Sequence, residues 1–180
     1  MRIVQLNEET RKNILEDLLK RDPNNYTAYE STVQEIVEDV RKNRDQALFA
    51  YTKKFDGADL DSSNIRVTEA EIQEAMSQVD PELLTVMKRA MKNIREYHEK
   101  QKQYSWFDSR PDGTLLGQKV TPLSSVGVYV PGGKAAYPSS VLMNIIPAEV
   151  AGVPRIVMVT PPDKNGKVNP VTLIAAHLAG

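Results

Sequence analysis

Two short apolar runs, each reading as a buried strand closed by proline and each followed by a helical segment, constrain this chain more than any other feature. Ser125-Val-Gly-Val-Tyr-Val130 stops at Pro131-Gly132-Gly133, and Arg155-Ile-Val-Met-Val-Thr160 stops at Pro161-Pro162. Proline cannot donate to a β-ladder and glycine tolerates positive φ, so both runs end where the chain must turn. From Ser139 to Gly152, Val141, Leu142, Ile145 and Ala148 recur at helical spacing, with Pro147 expected to kink the helix. Asn169-Pro170 then opens a last helix through Ala179. Strand, turn and helix, repeated once, make the pattern of a parallel α/β layer. With only two such strands, the sheet reads as unfinished at residue 180.

The chain ahead of this layer has a different chemistry. Residues 1–110 carry 39 of the 47 charged side chains, the mark of solvated amphipathic helices. Asn7-Glu8-Glu9-Thr10 predicts a helix ending before Asp22-Pro23. Thr27-x-x-Glu30 has capping-box spacing and opens one long helix with Val33, Ile36, Val37, Val40, Ala47, Leu48 and Tyr51 on a side, stopping near Phe55-Asp56-Gly57. Thr68-x-x-Glu71 repeats the signal. Asp80-Pro81 supplies an N-cap and a first-turn proline for a helix carrying Leu83, Leu84, Met87, Ala90, Met91, Ile94 and Tyr97. The chain is expected to turn from Trp106 to Gly113 and to form a strand over 115–120. The expected fold class is therefore α/β, a helical N-terminal region followed by the start of an incomplete parallel sheet. The expected organisation is a helical segment at 1–24, a mostly helical part at 25–128, and the beginning of a second α/β domain at 129–180.

Several chemistries are excluded by what is missing. There are no cysteines, which removes thiolate nucleophiles and sulfur-ligated zinc, and only two histidines, His98 and His177, which lack the spacing of a metal-binding helix. His98 reads as a surface or packing residue and His177 as a packing residue. A net charge of −1 gives no reason to expect nucleic acid or an anionic membrane as partner. No apolar run has the length of a membrane span and no signal peptide opens the chain, so a cytoplasmic protein is expected. The serines lack a G-x-S-x-G frame. Gly127 to Lys134 has one residue too many for a phosphate loop and no following hydroxyl, and the G-x-G-x-x-G fingerprint is absent. What is left is the segment Tyr129 to Ser139. At a strand's carboxyl end it offers an aromatic face, two glycines and a helix N-terminus, which suit either a flat or phosphorylated ligand or merely a tight crossover turn.

These residues carry a family likeness. Ser125 to Asn144 closely resembles the signature region of the histidinol dehydrogenases, and Ile146-Pro-Ala-Glu-Val-Ala-Gly-Val153 and Thr160-Pro-Pro162 continue the match. Upstream, Arg44-Asp-Gln-Ala-Leu48, Tyr51-Thr-Lys-Lys-Phe-Asp-Gly57, Asn93-Ile-Arg-Glu-Tyr-His98 and Gly117-Gln118 fit the same family in order. The resemblance implies oxidation of L-histidinol to L-histidine through the aldehyde with two NAD+, in a homodimer of intertwined subunits with incomplete Rossmann-like domains. It implies that Tyr129 contacts NAD, that Pro131 and Phe55 line the same cleft, and that Ser139 faces the substrate region. The family's zinc ligands and its acid–base Glu and His fall beyond the equivalent of Gly180. No catalytic or metal-ligating residue is therefore assigned here, and the chain is expected to be an inactive N-terminal portion. Self-association is expected, or an arrangement in which its strands over 115–160 pair with a second copy. Two other readings stay open: a non-catalytic dimerisation or nucleotide-binding module derived from the family, and an unrelated phosphate binder using the Pro131-Gly132-Gly133 turn.

Overall fold

A computed structural model of the chain describes residue 5 and residues 7–12, 26–132 and 136–180. The expected first helix is seen at residues 8–12, and its remainder lies outside the described residues, as do Gly133 and Lys134. Two compact units divide the chain, Met1–Leu48 and Phe49–Gly180.

Helix α1 spans Thr27–Asn43 in the first unit; α2, Asp45–Phe55, begins there and has its larger part, from Phe49, in the second. The expected start of α1 is shifted. Tyr26 is the N-cap, without a side-chain cap bond, so the helix starts a residue earlier than the Thr27–Glu30 motif requires. Nor is the helix continuous to Phe55. It breaks at Arg44, whose φ of 51° and ψ of −129° make it the positive-φ non-glycine residue among those described. Its N–H still bonds Val40 O at 2.9 Å, closing the last turn of α1 before the chain changes direction. A Cβ in this region is strained by roughly 1–3 kcal/mol. Helical periodicity cannot reveal such a break, because the apolar positions resume in phase beyond it. Arg44→Gly relieves the strain against a smaller entropic penalty of roughly 0.5–1 kcal/mol. The variant should show a higher urea midpoint, corresponding to about 1 kcal/mol; an unchanged or lower midpoint would refute the strain.

The second unit contains α3 (Glu69–Gln78), α4 (Pro81–Glu99), strands β1 (Trp106–Ser109), β2 (Leu115–Gln118) and β3 (Val126–Tyr129), helix α5 (Pro138–Val150), strand β4 (Ile156–Val159) and α6 (Pro170–Ala179). Its helix starts follow the sequence signals. Thr68 and Glu71 form a reciprocal capping box, Asp80 Oδ1 accepts from Glu82 N at 2.7 Å, and Asn169 Oδ1 accepts from Val171 N at 3.0 Å. The turn expected over Trp106–Gly113 is instead an antiparallel hairpin. Trp106 pairs with Gln118 and Ser109 with Leu115, and the reversal itself is confined to Arg110–Gly113. Gly113 takes φ +83° there. With Trp106, Phe107, Leu115 and Leu116 all exposed, β1 has no apolar–polar alternation to betray it.

β3 and β4 pair in parallel, Val126 with Ile156 through Tyr129 with Val159. The strands are not buried on both faces as their apolar runs suggested: alternation sends Val128 and Val130 into the core and leaves Tyr129, Val157 and Val159 on an open face, because the helices cover one side only. The core is completed by Val141, Leu142, Ile145 and Ile146 of α5, by Leu173, Ile174 and Ala175 of α6, and by Ala75 and Met87 from α3 and α4. Pro147 lies inside α5, which continues through it to Val150. The result is a mixed α/β unit with helices packed on one face of a two-stranded parallel sheet.

Candidate functional site

Strand alternation places the residues singled out from the sequence. Tyr129 is the last residue of β3. Because Val128 and Val130 on either side of it are buried, its ring must project to the open face, where it is 63% exposed. Val130 N bonds Val159 O at 3.0 Å, extending the ladder one step before Pro131 ends it. Pro131 is exposed directly after this step. Ser139 is exposed in the first turn of α5, whose first residue is Pro138 and whose N-cap Tyr137 makes no side-chain cap bond. Phe55, at the end of α2, is 61% exposed and stacks on Tyr51 with centroids 5.7 Å apart, while Lys54 Nζ lies 5.3 Å from its centroid. Tyr129, Pro131 and Ser139 thus cluster by chain position at the exit of β3 and the entry of α5; Phe55 arrives from a separate helix with its own aromatic partner.

The corner is held by a close approach. A Cβ on Gly132 would meet Pro161 O at 2.8 Å and Thr160 Oγ1 at 3.3 Å. Gly132 is not among the positive-φ glycines. Space, not backbone freedom, demands glycine here, and the contact ties the exit of β3 to the exit of β4.

Beside this corner lies a cleft of 390 Å³, lined by Gly132, Thr160, Pro161, Asn169 and Lys167 together with Glu71 and Glu74 from α3. It sits at the carboxyl ends of the parallel strands, where α/β sheets take ligands. Of the residues that the resemblance assigns to the cofactor and substrate, Tyr129, Pro131, Ser139 and Phe55, none lines it, whereas Gly132 and the Thr160-Pro161-Pro162 motif do. Sequence reading missed its far wall. Glu71 and Lys167 are far apart in the chain, yet Lys167 Nζ lies 3.0 Å from Glu71 Oε1.

Glu71 also accepts from the Thr68 N–H at 2.9 Å. That backbone bond, followed by the Lys167 bond and the Thr68 hydroxyl, holds its carboxyl below the usual range, and the same ion pair holds the Lys167 ammonium above its usual value. A carboxyl lowered on folding stabilises above its unfolded pKa and loses that contribution as pH falls through the folded one. An ammonium raised on folding stabilises below its unfolded pKa and loses that at high pH. Glu71→Gln, which can still cap α3, should therefore flatten the decline of thermal stability between about pH 5 and pH 3. An unaltered decline would assign that acid sensitivity elsewhere.

Histidine plays no part at this corner. His98 is half-buried in α4 with Nδ1 2.7 Å from Gln101 Oε1 and its ring edge-on to Tyr97. His177 is exposed on α6, not packed between elements as its apolar neighbours suggested. Among the described residues no three His, Cys, Asp or Glu side chains gather closely enough to hold a metal. With no cysteine in the chain and the two histidines on different helices, the described residues do not fit a zinc site. No described helix is long and apolar enough to cross a membrane.

Comparison with known proteins bears on the whole chain. The sequence pattern of the family described as histidinol dehydrogenase matches residues 19–180. The histidinol dehydrogenase of Bacillus subtilis is 61% identical over 149 residues, covering 83% of this chain and 34% of that protein. That of Heliobacterium mobile is 57% identical over 148 residues, covering 82% and 35%. The one from Halalkalibacterium halodurans is 49% identical along 100% of this chain and 41% of its own length. A crystal structure of histidinol dehydrogenase from Elizabethkingia anophelis superposes with a TM-score of 0.78 at 38% identity, over 84% of this chain and 35% of that one. The chain thus spans between about a third and two-fifths of the relatives it matches. Family match, identity and fold agree, and the chain belongs to the histidinol dehydrogenase family.

Proposed function

We propose that this chain contributes the cofactor-side wall of a histidinol dehydrogenase, a cytoplasmic, homodimeric, NAD-dependent enzyme that oxidises L-histidinol to L-histidine in histidine biosynthesis. One observation carries the reading: an aromatic side chain, Tyr129, stands exposed at the carboxyl end of a parallel strand, immediately before a corner that admits only glycine at Gly132. NAD+ supplies the hydride acceptor when bound. Tyr129 offers a flat apolar face to one of its rings, Pro131 excludes water beside it, and Phe55 brings a second aromatic surface to the same cofactor. Ser139 presents a hydroxyl at the start of α5, where the helix N-terminus favours anionic or electron-rich groups. The open face formed by Gly127, Tyr129, Val157 and Val159 supports a partner, because parallel sheets are ordinarily covered on both sides.

Zinc does not enter through these residues. Metal binding and proton transfer fall to the part of the enzyme this chain does not span, so the 180-residue chain by itself should produce no NADH from histidinol. Calorimetric titration with NAD+ tests the cofactor wall. Loss of a ring stack is worth roughly 1–3 kcal/mol, so Tyr129→Ala should weaken NAD+ binding by about tenfold with the fold intact by circular dichroism. Equal affinity of wild type and variant would remove Tyr129 from the site.

A further inference from the structure

The chain contains one Asn-Gly step, Asn165-Gly166, in the loop between β4 and α6. Asn165 is exposed, and Gly166 adopts φ +76°. A glycine following asparagine leaves its backbone nitrogen unshielded by any Cβ, so the side-chain amide carbon lies within reach of that nitrogen whenever the turn opens. The turn is organised entirely by Asp163. Its carboxylate Oδ1 accepts from Asn165 N at 2.8 Å and from Lys167 N at 2.9 Å, its carbonyl accepts from Gly166 N at 2.9 Å, and its own N–H donates to Lys167 O at 2.8 Å. The Gly166 nitrogen that would attack is thus engaged by Asp163 until the turn opens.

We propose that Asn165 is a self-modifying residue, deamidating through a cyclic imide with Gly166 at a rate set by how often the Asp163 turn opens. In the first step the Gly166 nitrogen loses its proton and bonds Asn165 Cγ; the C–Nδ2 bond breaks, and the side-chain nitrogen leaves as ammonia, taking up that proton. Water then adds to either imide carbonyl, giving aspartate or isoaspartate at position 165. No electron transfer is involved, and solvent supplies the co-reactant. Isoaspartate lengthens the backbone by one carbon. The Asp163 carboxylate can then no longer bond both N–H groups, and Lys167, held to Glu71 across the cleft wall, loses its support.

The test is incubation of the purified protein at mildly alkaline pH, with intact-mass measurement and enzymatic isoaspartate assay. Wild type should lose ammonia at residue 165 more slowly than a free peptide of residues 164–168, and faster as pH rises. Asn165→Gln should lose none at that position. Asp163→Ala, which releases the Asn165 and Lys167 N–H groups, should react several-fold faster than wild type. Asp56-Gly57 and Asp112-Gly113 serve as internal controls, since isomerisation there changes no mass. An intact Asn165 after the free peptide has fully converted would overturn the assignment, and an Asp163→Ala rate equal to that of wild type would overturn the guarding role.

Discussion

Ile146→Ala should lower the stability of the second unit by about 3 kcal/mol, within the roughly 2–5 kcal/mol range for such truncations. Ile146 is fully buried in α5, one turn beyond Leu142, in the layer where α5 lies between β3 and α6. With α5 packed against α4 and α6 as well as the two-stranded sheet, Ile146 is held by whole elements that cannot collapse fully into the gap, so the cavity term adds to the lost transfer energy. For a chain of this size the loss corresponds to a fall in Tm of roughly 6–12 °C, measurable by calorimetry or by circular dichroism. Val157→Ala, on the open face of β4 and 44% exposed, should change Tm by far less. Equal losses at the two positions would mean that the face described as open is covered in solution.

Gly132→Ala should be the most damaging single-methyl change near the site. The added carbon would stand 2.8 Å from Pro161 O and 3.3 Å from both Pro161 Cδ and Thr160 Oγ1. The nearest of these is a backbone atom, which no rotamer change can move aside. Either the β3 exit or the Thr160–Pro162 segment must shift, at a cost of about 1–3 kcal/mol. The Tyr129 ring, three residues upstream, would move with the first of these. Thermal unfolding and NAD+ titration on the same variant should therefore both worsen. Gly127→Ala is the matched control. Nothing lies within 4 Å of its added carbon, so it should be neutral or slightly stabilising, since alanine loses less backbone freedom on folding. If Gly132→Ala were as benign as Gly127→Ala, the close approach would not exist in solution.

Local chemistry explains which parts of this protein are legible in its amino acids. The parallel strand pair, the two helices that follow its strands, and the caps at Thr68, Asp80 and Asn169 are written in short-range signals: apolar runs, prolines, and side chains that bond an amide two or three residues away. Family membership was legible for the same reason, because its motifs are contiguous runs. Alternation sets Tyr129 opposite Val128 and Val130, but its unbroken apolar run reads as a buried strand, and only packing on one face leaves the ring exposed. Four features had no local signature. The break at Arg44 rests on a strained backbone that helical spacing does not register. The strand Trp106–Ser109 exists because Leu115–Gln118 pairs with it, and a strand without alternation is visible only through its partner. The Glu71–Lys167 pair and the Gly132–Pro161 approach join residues from different elements, and only packing brings them to one cleft. Short-range hydrogen-bonding and burial preferences act within a few residues and leave their pattern in the chain itself; the distance between two remote residues depends on how whole elements pack, and no local pattern records it.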